Sequence, residues 1–342
     1  MDRAVRLRQK AMTISALYPL RFEPIYQYRL WGGRRLADWL TAPLPGDGPI
    51  GEAWLLSDRD EHPSRVAHGP LKGRTIAQLM EQSPELILGK LVRRFRRFPL
   101  LLKFLDVQKM LSVQVHPSDG KSDLIPPGDT GKTEAWIVLE SAPKSLVYAG
   151  LRRGTTAEDL RTLTECTANK YLASFTPQPG QAILIEAGVV HSLGNGLVVF
   201  ELQENSDVTF RLFDWNHIDP RTGHPRALQV EKALACVDLM QGPVCPITPV
   251  VEDVQPAMRE RLFDNPHFRV WRLGGKAPFE VGAANEPRVL VCLDGSGNLE
   301  YEGADFLTEK GAVVLLPAVV GACRYRPDGP ATLLDIAVPD LP

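Results

Sequence analysis

The stretch LSVQVHPSDG, residues 111–120, alternates apolar and polar side chains and then meets a proline. Successive side chains of a β-strand point to opposite faces, so the two valines lie on one face while Gln114 and His116 share the other. Pro117 cannot donate a hydrogen bond to a neighbouring strand, and we expect the strand to end there. The polar face is therefore either a surface stripe or half of a metal site, and the rest of the chain must decide.

The composition is typical of a soluble globular protein with one large or two ordinary domains. Of 342 residues, 44% are hydrophobic and 23% charged, and 39 Lys and Arg face 41 Asp and Glu. A net charge of -2 favours neither nucleic acid nor a membrane as partner, so local basic residues must hold any anionic ligand. The five cysteines are widely spaced, which indicates reduced thiols. We expect a cytoplasmic monomer or weak homodimer.

The pattern of turns and apolar runs predicts many short strands with two helical insertions. The insertions lie near residues 74–98, with a break at Pro84, and near residues 155–175, after a threonine cap. A proline-rich segment, CVDLMQGPVCPITPV, separates two β-rich regions. The predicted domains are an N-terminal extension, disordered rather than a signal peptide, a first β domain and a C-terminal β domain: residues 1–20, 21–240 and 250–342.

A weak internal repeat supports two related β lobes. PGQAILIEAGVVH (179–191) resembles KGAVVLLPAVVGA (310–322): each has a glycine before a strand and a turn marked by Gly or Pro. The first copy ends at His191, whereas the second has no histidine there. A metal held by the first lobe is therefore not expected in the second.

Four residues of the first lobe form a candidate metal site. Gln114, His116, Glu134 and His191 all lie on or beside predicted strands. Their imidazole, carboxylate and amide groups suit zinc or another divalent transition metal, and a small β-barrel can bring such distant residues together. Taken singly, each residue has a plainer interpretation, as a structural histidine or a solvated strand end.

Several stretches closely resemble type I mannose-6-phosphate isomerases of the shorter bacterial branch. They occur in the family's order: LLLKFLDVQKMLSVQVHPSD, GKTEAWIVL, EAGVVHSLGNG and FELQENSDVTFRLFDW. The similarity begins near Phe22 and weakens after Trp215. It implies a mainly β, cupin-type double-stranded β-helix (jelly roll) in two lobes, a catalytic zinc domain followed by a metal-free one.

The resemblance also implies roles for individual residues. One zinc ion per chain is expected on Gln114, His116, Glu134 and His191. The family pattern assigns catalytic positions to Arg211, Lys132, Glu201 and Asp207, and positions near a substrate phosphate to Lys103 and Ser112. Arg152 and Arg153 are a further basic pair that could contact phosphate. Leu193 departs from the tyrosine of longer members, which leaves the sugar-hydroxyl contacts there open.

The implied reaction interconverts mannose 6-phosphate and fructose 6-phosphate through an enediolate, with Lys132 or Glu201 as the base. Two other functions remain. An iron-dependent cupin oxygenase would use two histidines and one carboxylate and would leave Gln114 aside. A non-catalytic sugar-binding cupin would not need the complete set of charged residues, which the chain retains.

Overall fold

The computed structural model describes residues 17–340 of the chain. Contacts group them into two compact units, the first made of residues 17–23, 56–99 and 249–340, the second of residues 24–55 and 100–248. Both are built mainly from antiparallel strands, which confirms the predicted mainly β class with short helical insertions. Of the helices in residues 17–340, none is long and apolar enough to cross a bilayer.

The first fourteen strands are short, and most belong to the second unit. They are β1 (Leu20–Arg21), β2 (Ile25–Gly33), β3 (Ile50–Leu56), β4 (Leu100–Val107), β5 (Val113–Val115), β6 (Glu134–Ser141), β7 (Leu146–Leu151), β8 (Leu172–Phe175), β9 (Ala182–Ile185), β10 (His191–Gly194), β11 (Leu197–Glu204), β12 (Phe210–Phe213), β13 (Ile218–Asp219) and β14 (His224–Pro225).

The remaining strands belong to the first unit. They are β15 (Val250–Asp253), β16 (Met258–Asp264), β17 (Arg269–Gly275), β18 (Phe279–Val281), β19 (Arg288–Asp294), β20 (Ser296–Tyr301), β21 (Ala304–Glu309), β22 (Val313–Leu316), β23 (Cys323–Pro327) and β24 (Ala331–Ala337). The α-helices are α1 (Ile76–Gln82), α2 (Pro84–Leu88), α3 (Ala157–Arg161), α4 (Glu165–Tyr171) and α5 (Val230–Cys236). Short 3-10 segments are Arg35–Asp38, Gly89–Arg93 and Asp119–Lys121.

In the second unit, a six-stranded sheet (β2-β3-β4-β11-β6-β9) and a five-stranded sheet (β12-β5-β10-β7-β8) enclose an apolar core. Trp136 and Val138 of β6 pack in one buried cluster with Val147 of β7 and Leu193 of β10. Along each strand, side chains that point into the core alternate with side chains that point to the opposite face of the sheet, as they must in a β-sandwich. Strands β4 and β5 follow each other along the chain but belong to different sheets.

In the first unit, a seven-stranded sheet (β1-β22-β19-β24-β17-β16-β15) accompanies a four-stranded one (β18-β23-β20-β21). Leu290 and Leu333 of the larger sheet share a buried cluster with Leu299 and Tyr325 of the smaller sheet. The repeated glycines have a common cause. Gly180 and Gly311 both adopt positive φ, at 86° and 84°, two residues before the matching strands β9 and β22.

The units are not continuous in sequence. Residues 56–99, which the sequence assigns to the first β domain, lie in the unit that contains the C-terminal strands. The backbone of α2 accounts for this grouping: the amides of Ala318 and Val319 donate to the carbonyls of Ile87 and Leu86, at 2.9 and 3.0 Å. The predicted extension at residues 1–20 lies outside the described residues up to residue 16, and Leu20 is already buried in β1.

The helices begin where the sequence indicates but end before the predicted insertions do, since α2 is followed by a 3-10 segment and α4 by strand β8. Thr75 caps α1, with its hydroxyl accepting from the amide of Gln78 at 3.1 Å, and Pro84 is the first residue of α2. Thr156 caps α3 in the same way, through the amide of Asp159 at 3.2 Å. Helix α5 was not predicted.

Candidate metal centre and adjoining cavity

Four strands of the second unit bring the predicted ligands together. His191 opens β10 and pairs with Gln114 of β5, while Glu134 opens β6 and pairs with Gln203 of β11. His116 follows β5 by one residue, where Pro117 stops the strand. The alternation of β5 therefore turns Gln114 and His116 toward the same interior, as predicted.

His116, Glu134 and His191 form a compact buried cluster. Nε2 of His116 lies 3.2 Å from Oε2 of Glu134, and Nε2 of His191 lies 3.4 Å from Oε1 of the same carboxylate. The candidate ligand atoms all lie within 4.8 Å of one another. Each of the three residues is at most 1% exposed. Three donors converging on one buried point are the arrangement that a divalent cation requires.

The outer nitrogens of both imidazoles are fixed by backbone carbonyls. Nδ1 of His116 lies 2.8 Å from the carbonyl oxygen of Val208, and Nδ1 of His191 lies 2.9 Å from that of Val189. A proton on each Nδ1 leaves Nε2 with a lone pair facing the cluster, the usual arrangement of metal-binding histidines. Nε2 of His116 and both carboxylate oxygens of Glu134 are buried and make no well-formed hydrogen bond, although Nζ of Lys132 lies 3.1 Å from one of these oxygens. These unsatisfied nitrogen and oxygen atoms fit the ligands of a zinc ion or a similar cation.

The electrostatics of the cluster set the protonation states that metal ligands need. Burial, together with the charge of Lys132, lowers the pKa of His116 to about 3, and burial also lowers the pKa of His191. Burial alone would raise the pKa of Glu134, but Lys132 and His116 outweigh it and hold that pKa well below the usual value. At neutral pH the cluster therefore presents neutral imidazoles and a carboxylate, ready to bind a cation.

Gln114 lies at the edge of this cluster. Its Nε2 is 3.2 Å from Nε2 of His191, and its Oε1 accepts a hydrogen bond from the hydroxyl of Ser112 at 3.1 Å. The amide oxygen, which is the atom that binds cations, thus faces Ser112 in this structure. Among the described residues, the three-residue cluster is accordingly the firm core of the site, with Gln114 beside it.

A cavity of about 370 Å³ adjoins the cluster, and the other predicted site residues reach it. Seven predicted residues line it: Lys103, Ser112, Gln114, Lys132, Glu201, Asp207 and Arg211. Ten others line it that were not predicted as site residues: Tyr28, Arg29, Leu30, Trp31, Glu52, Leu105, Leu111, Thr209, Asp219 and Arg226. The basic pair Arg152 and Arg153 does not line this cavity, and Leu193 is buried in the apolar core instead.

Lys103 and Glu201 form a buried ion pair on neighbouring strands. Nζ of Lys103 lies 3.1 Å from Oε1 of Glu201, donates to Oε1 of Gln203 at 2.8 Å, and lies 5.1 Å from the ring centre of Trp54. Burial would lower the pKa of Lys103, but Glu201 outweighs it, so that pKa is raised and the ammonium stays charged. Burial raises the pKa of Glu201, although Lys103 opposes the change. The raised pKa makes the Glu201 carboxyl group better able to exchange a proton near neutral pH.

Lys132 and Arg211 flank the cluster. Nζ of Lys132 lies 3.1 Å from Oε2 of Glu134, although Lys132 itself precedes β6. Arg211 pairs with Gln114 across strands β12 and β5, and its Nε is buried without a partner. Within residues 17–340, its guanidinium makes no ion pair. Burial lowers its pKa, and the neighbouring charge of Arg226 adds to the effect.

Two acid-base pairs of the cavity escaped sequence reasoning. Nε and Nη2 of Arg29 donate to the two oxygens of Glu52, at 2.8 and 3.1 Å. Arg226 is bound by Asp214 through Nε at 2.8 Å. The sequence did carry a signal for the first pair. Arg29 and Glu52 are charged residues inside mostly apolar strands, in YRLWGG and IGEAWLL. Asp207 lies at the exposed side of the cavity.

Comparison with known proteins points in one direction. The catalytic-domain model of type I phosphomannose isomerases matches residues 20–145. The mannose-6-phosphate isomerase ManA of Bacillus subtilis is 32% identical over 315 residues, covering 90% of this chain and 96% of the relative. The mannose-6-phosphate isomerase of Streptococcus mutans is 28% identical, with 91% and 96% covered.

A solved structure agrees with these relatives. The crystal structure of the mannose 6-phosphate isomerase from Bacillus subtilis superposes with a TM-score of 0.85 at 28% identity, covering 94% of this chain and 99% of the other. The match confirms the predicted cupin class.

Proposed function

The chain belongs to the type I mannose-6-phosphate isomerase family and is an enzyme of that class, and from this premise we propose that its buried cluster holds a zinc ion and that mannose 6-phosphate and fructose 6-phosphate are interconverted in the adjoining cavity. The observation that carries the proposal is the set of unsatisfied donor atoms on His116 and Glu134. Buried polar atoms without partners are costly, and a cation would satisfy them.

The ion would be held by His116, Glu134 and His191, with Gln114 as the fourth residue once its amide oxygen turns toward them. When bound, the cation supplies positive charge that polarises the substrate carbonyl and stabilises negative charge on the sugar oxygens. One carboxylate among neutral ligands would leave the site with a net positive charge. Zinc suits this nitrogen and oxygen set, because the two imidazole nitrogens favour it over a larger cation that prefers oxygen ligands.

The chain's own residues would move the proton between the first and second carbons of the open-chain sugar. Lys132 and Glu201 both line the cavity and are the candidate bases. Glu201 is the stronger candidate, because burial raises the pKa of its carboxyl group while the ion pair with Lys103 holds that group in position. Arg211 would stabilise the enediolate, since its side chain lines the cavity and its guanidinium has no carboxylate partner among the described residues.

Three further residues of the cavity are proposed to bind the phosphate and hydroxyl groups of the substrate. Lys103 uses two of its three N–H groups on Glu201 and Gln203, which leaves one for a substrate phosphate. Ser112 offers its hydroxyl at the cavity wall beside Gln114. Asp207 lies at the exposed side of the cavity, where it could bind sugar hydroxyls.

A coupled assay tests the proposal directly. Purified protein would be supplied with mannose 6-phosphate and fructose 6-phosphate formation recorded before chelation, after chelation, and after zinc is restored. We expect turnover to vanish with the chelator and return with zinc, and bound zinc in the active sample to be close to one per chain. A zinc-loaded, folded protein that forms no fructose 6-phosphate would refute the isomerase assignment. Substituting His191 by Ala is expected to abolish both zinc retention and turnover.

A further inference from the structure

We propose that Arg29, held in place by Glu52, binds the phosphate group of the substrate. The inference rests on the proposed function, because it names a substrate contact in the same cavity. Arg29 lies on β2, a strand that contributes none of the proposed metal ligands, and its side chain lines the cavity. Substrate phosphate needs a donor stronger than the single N–H left on Lys103.

The hydrogen bonds of Arg29 leave the outer end of its guanidinium available. Nε and Nη2 donate to the two oxygens of Glu52, and Nη1 donates to the carbonyl oxygen of Tyr28 at 3.2 Å. A guanidinium has five N–H groups, so two remain, one on each terminal nitrogen. Two such N–H groups side by side match two oxygens of a phosphate, the bidentate geometry that distinguishes Arg from Lys.

Glu52 acts as the positioning residue. Its carboxylate grips one edge of the guanidinium and also accepts from the indole N–H of Trp54 at 2.7 Å, so it cannot turn without breaking three hydrogen bonds. The pair is partly buried, with side-chain exposures of 29% for Arg29 and 11% for Glu52. Arg29 is therefore fixed before any ligand arrives, which limits the conformational entropy that binding would otherwise cost.

Neighbouring charges make this end of the cavity suited to an anion. The charges of Arg226 and Arg29 both act on the Arg211 guanidinium, so three arginines lie close together around one cavity. Glu52 and Asp214 neutralise two of them, and Arg211 has no ion-pair partner among residues 17–340, although the more distant charge of Asp207 also acts on it. A bound phosphate would relieve the repulsion among these like charges.

A purely structural ion pair is the competing interpretation, and substitutions at Arg29 separate the two. Arg29→Met removes the N–H donors of the side chain. Arg29→Lys keeps a positive charge beside Glu52 but cannot bind a phosphate through two parallel N–H groups. The matched control is Arg34→Lys, an exposed arginine of the same unit that donates to the carbonyls of Pro45 and Gly48. Kinetics would be recorded with mannose 6-phosphate, with inorganic phosphate and mannose as competing ligands.

We expect Arg29→Met to raise the KM for mannose 6-phosphate and the inhibition constant of inorganic phosphate by roughly tenfold to a hundredfold. The inhibition constant of mannose should stay within about twofold, and Arg29→Lys should recover only part of the loss. The control should match the wild type throughout. Equal weakening of phosphate and mannose, or an unchanged phosphate constant in a folded variant with full zinc content, would overturn the assignment.

The two proposals fail in different ways. A wild-type protein that does not convert mannose 6-phosphate removes the proposed function. Calorimetric titration with inorganic phosphate on the wild type and on Arg29→Met then still tests the arginine: tighter binding to the wild type supports it, and equal binding refutes it. Thermal melting of each variant separates loss of binding from loss of fold.

Discussion

Replacing Glu52 by Gln should make the second unit less stable at neutral pH and should remove part of its sensitivity to acid. The carboxylate is buried and accepts three hydrogen bonds, two from Arg29 and one from Trp54. Burial would raise its pKa, but Arg29 and Lys103 outweigh that effect and lower the pKa from 4.5 to about 2. The glutamine keeps the size and loses the charge.

The size of the effect follows from that pKa. A carboxyl that titrates near 4.5 in the unfolded chain and near 2 in the folded protein contributes about 3 kcal/mol to the free energy of unfolding at neutral pH. Because the folded-state pKa is the lower one, the contribution is fully present above pH 4.5 and is lost as the pH falls toward 2. At pH 3, less than half of it should remain.

Urea unfolding at pH 7 and pH 3, followed by tryptophan fluorescence and circular dichroism, measures the difference. We expect wild type to exceed Glu52→Gln by about 3 kcal/mol at pH 7 and by less than half of that at pH 3. Glu186→Gln, at an exposed glutamate of the same unit, should match the wild type at both pH values. A stability difference between wild type and Glu52→Gln that is the same at both pH values would show that the Arg29 pair does not set this titration.

Further predictions concern the metal, the buried ion pair and one glycine of strand β7. Chelation should lower the Tm of the wild type by several degrees, and added zinc should restore it, because a ligand that binds only the folded state stabilises it. Lys103→Met leaves Glu201 without its countercharge and should lower the free energy of unfolding by about 3–5 kcal/mol in urea melts; Lys103→Met combined with Glu201→Gln should recover part of this. Gly150→Ala should cost about 2 kcal/mol or more, and clearly more than Gly154→Ala, because both have positive φ but only the first would push a methyl group into a backbone carbonyl.

The residues of the candidate metal site could be predicted from the sequence because each of them lies in a recognisable local pattern. The alternation in SVQVHP predicts that Gln114 and His116 share a face, and the structure places both toward the same interior. Glu134 and His191 each stand first in a strand, at positions that a motif can recognise. Local pattern and family motif therefore pointed to the same four residues, whose role as ligands stays a proposal.

The charged pairs of the cavity could not be found in the same way. Arg29 and Glu52 are separated by 23 positions, and their contact depends on the register of β2 against β3, in which Gln27 pairs with Glu52. A one-residue slip would turn every side chain of a strand to its other face, and short sequence windows do not fix that register. The grouping of residues 56–99 with the C-terminal strands has the same origin, in backbone hydrogen bonds between distant segments.

The basic side chains of the cavity are nearly all paired with carboxylates, which is what the proposed binding of an anion has to build on. Four of its five basic side chains have a carboxylate within 3.1 Å, so burying them does not leave an isolated charge. Each carboxylate also fixes the direction in which the remaining N–H groups point. Arg211 differs, since no carboxylate of the described residues pairs with it. Only the more distant charges of Asp214 and Asp207 act on it, so under the proposed function Arg211 is the basic side chain of this cavity best placed to pair with an anionic substrate.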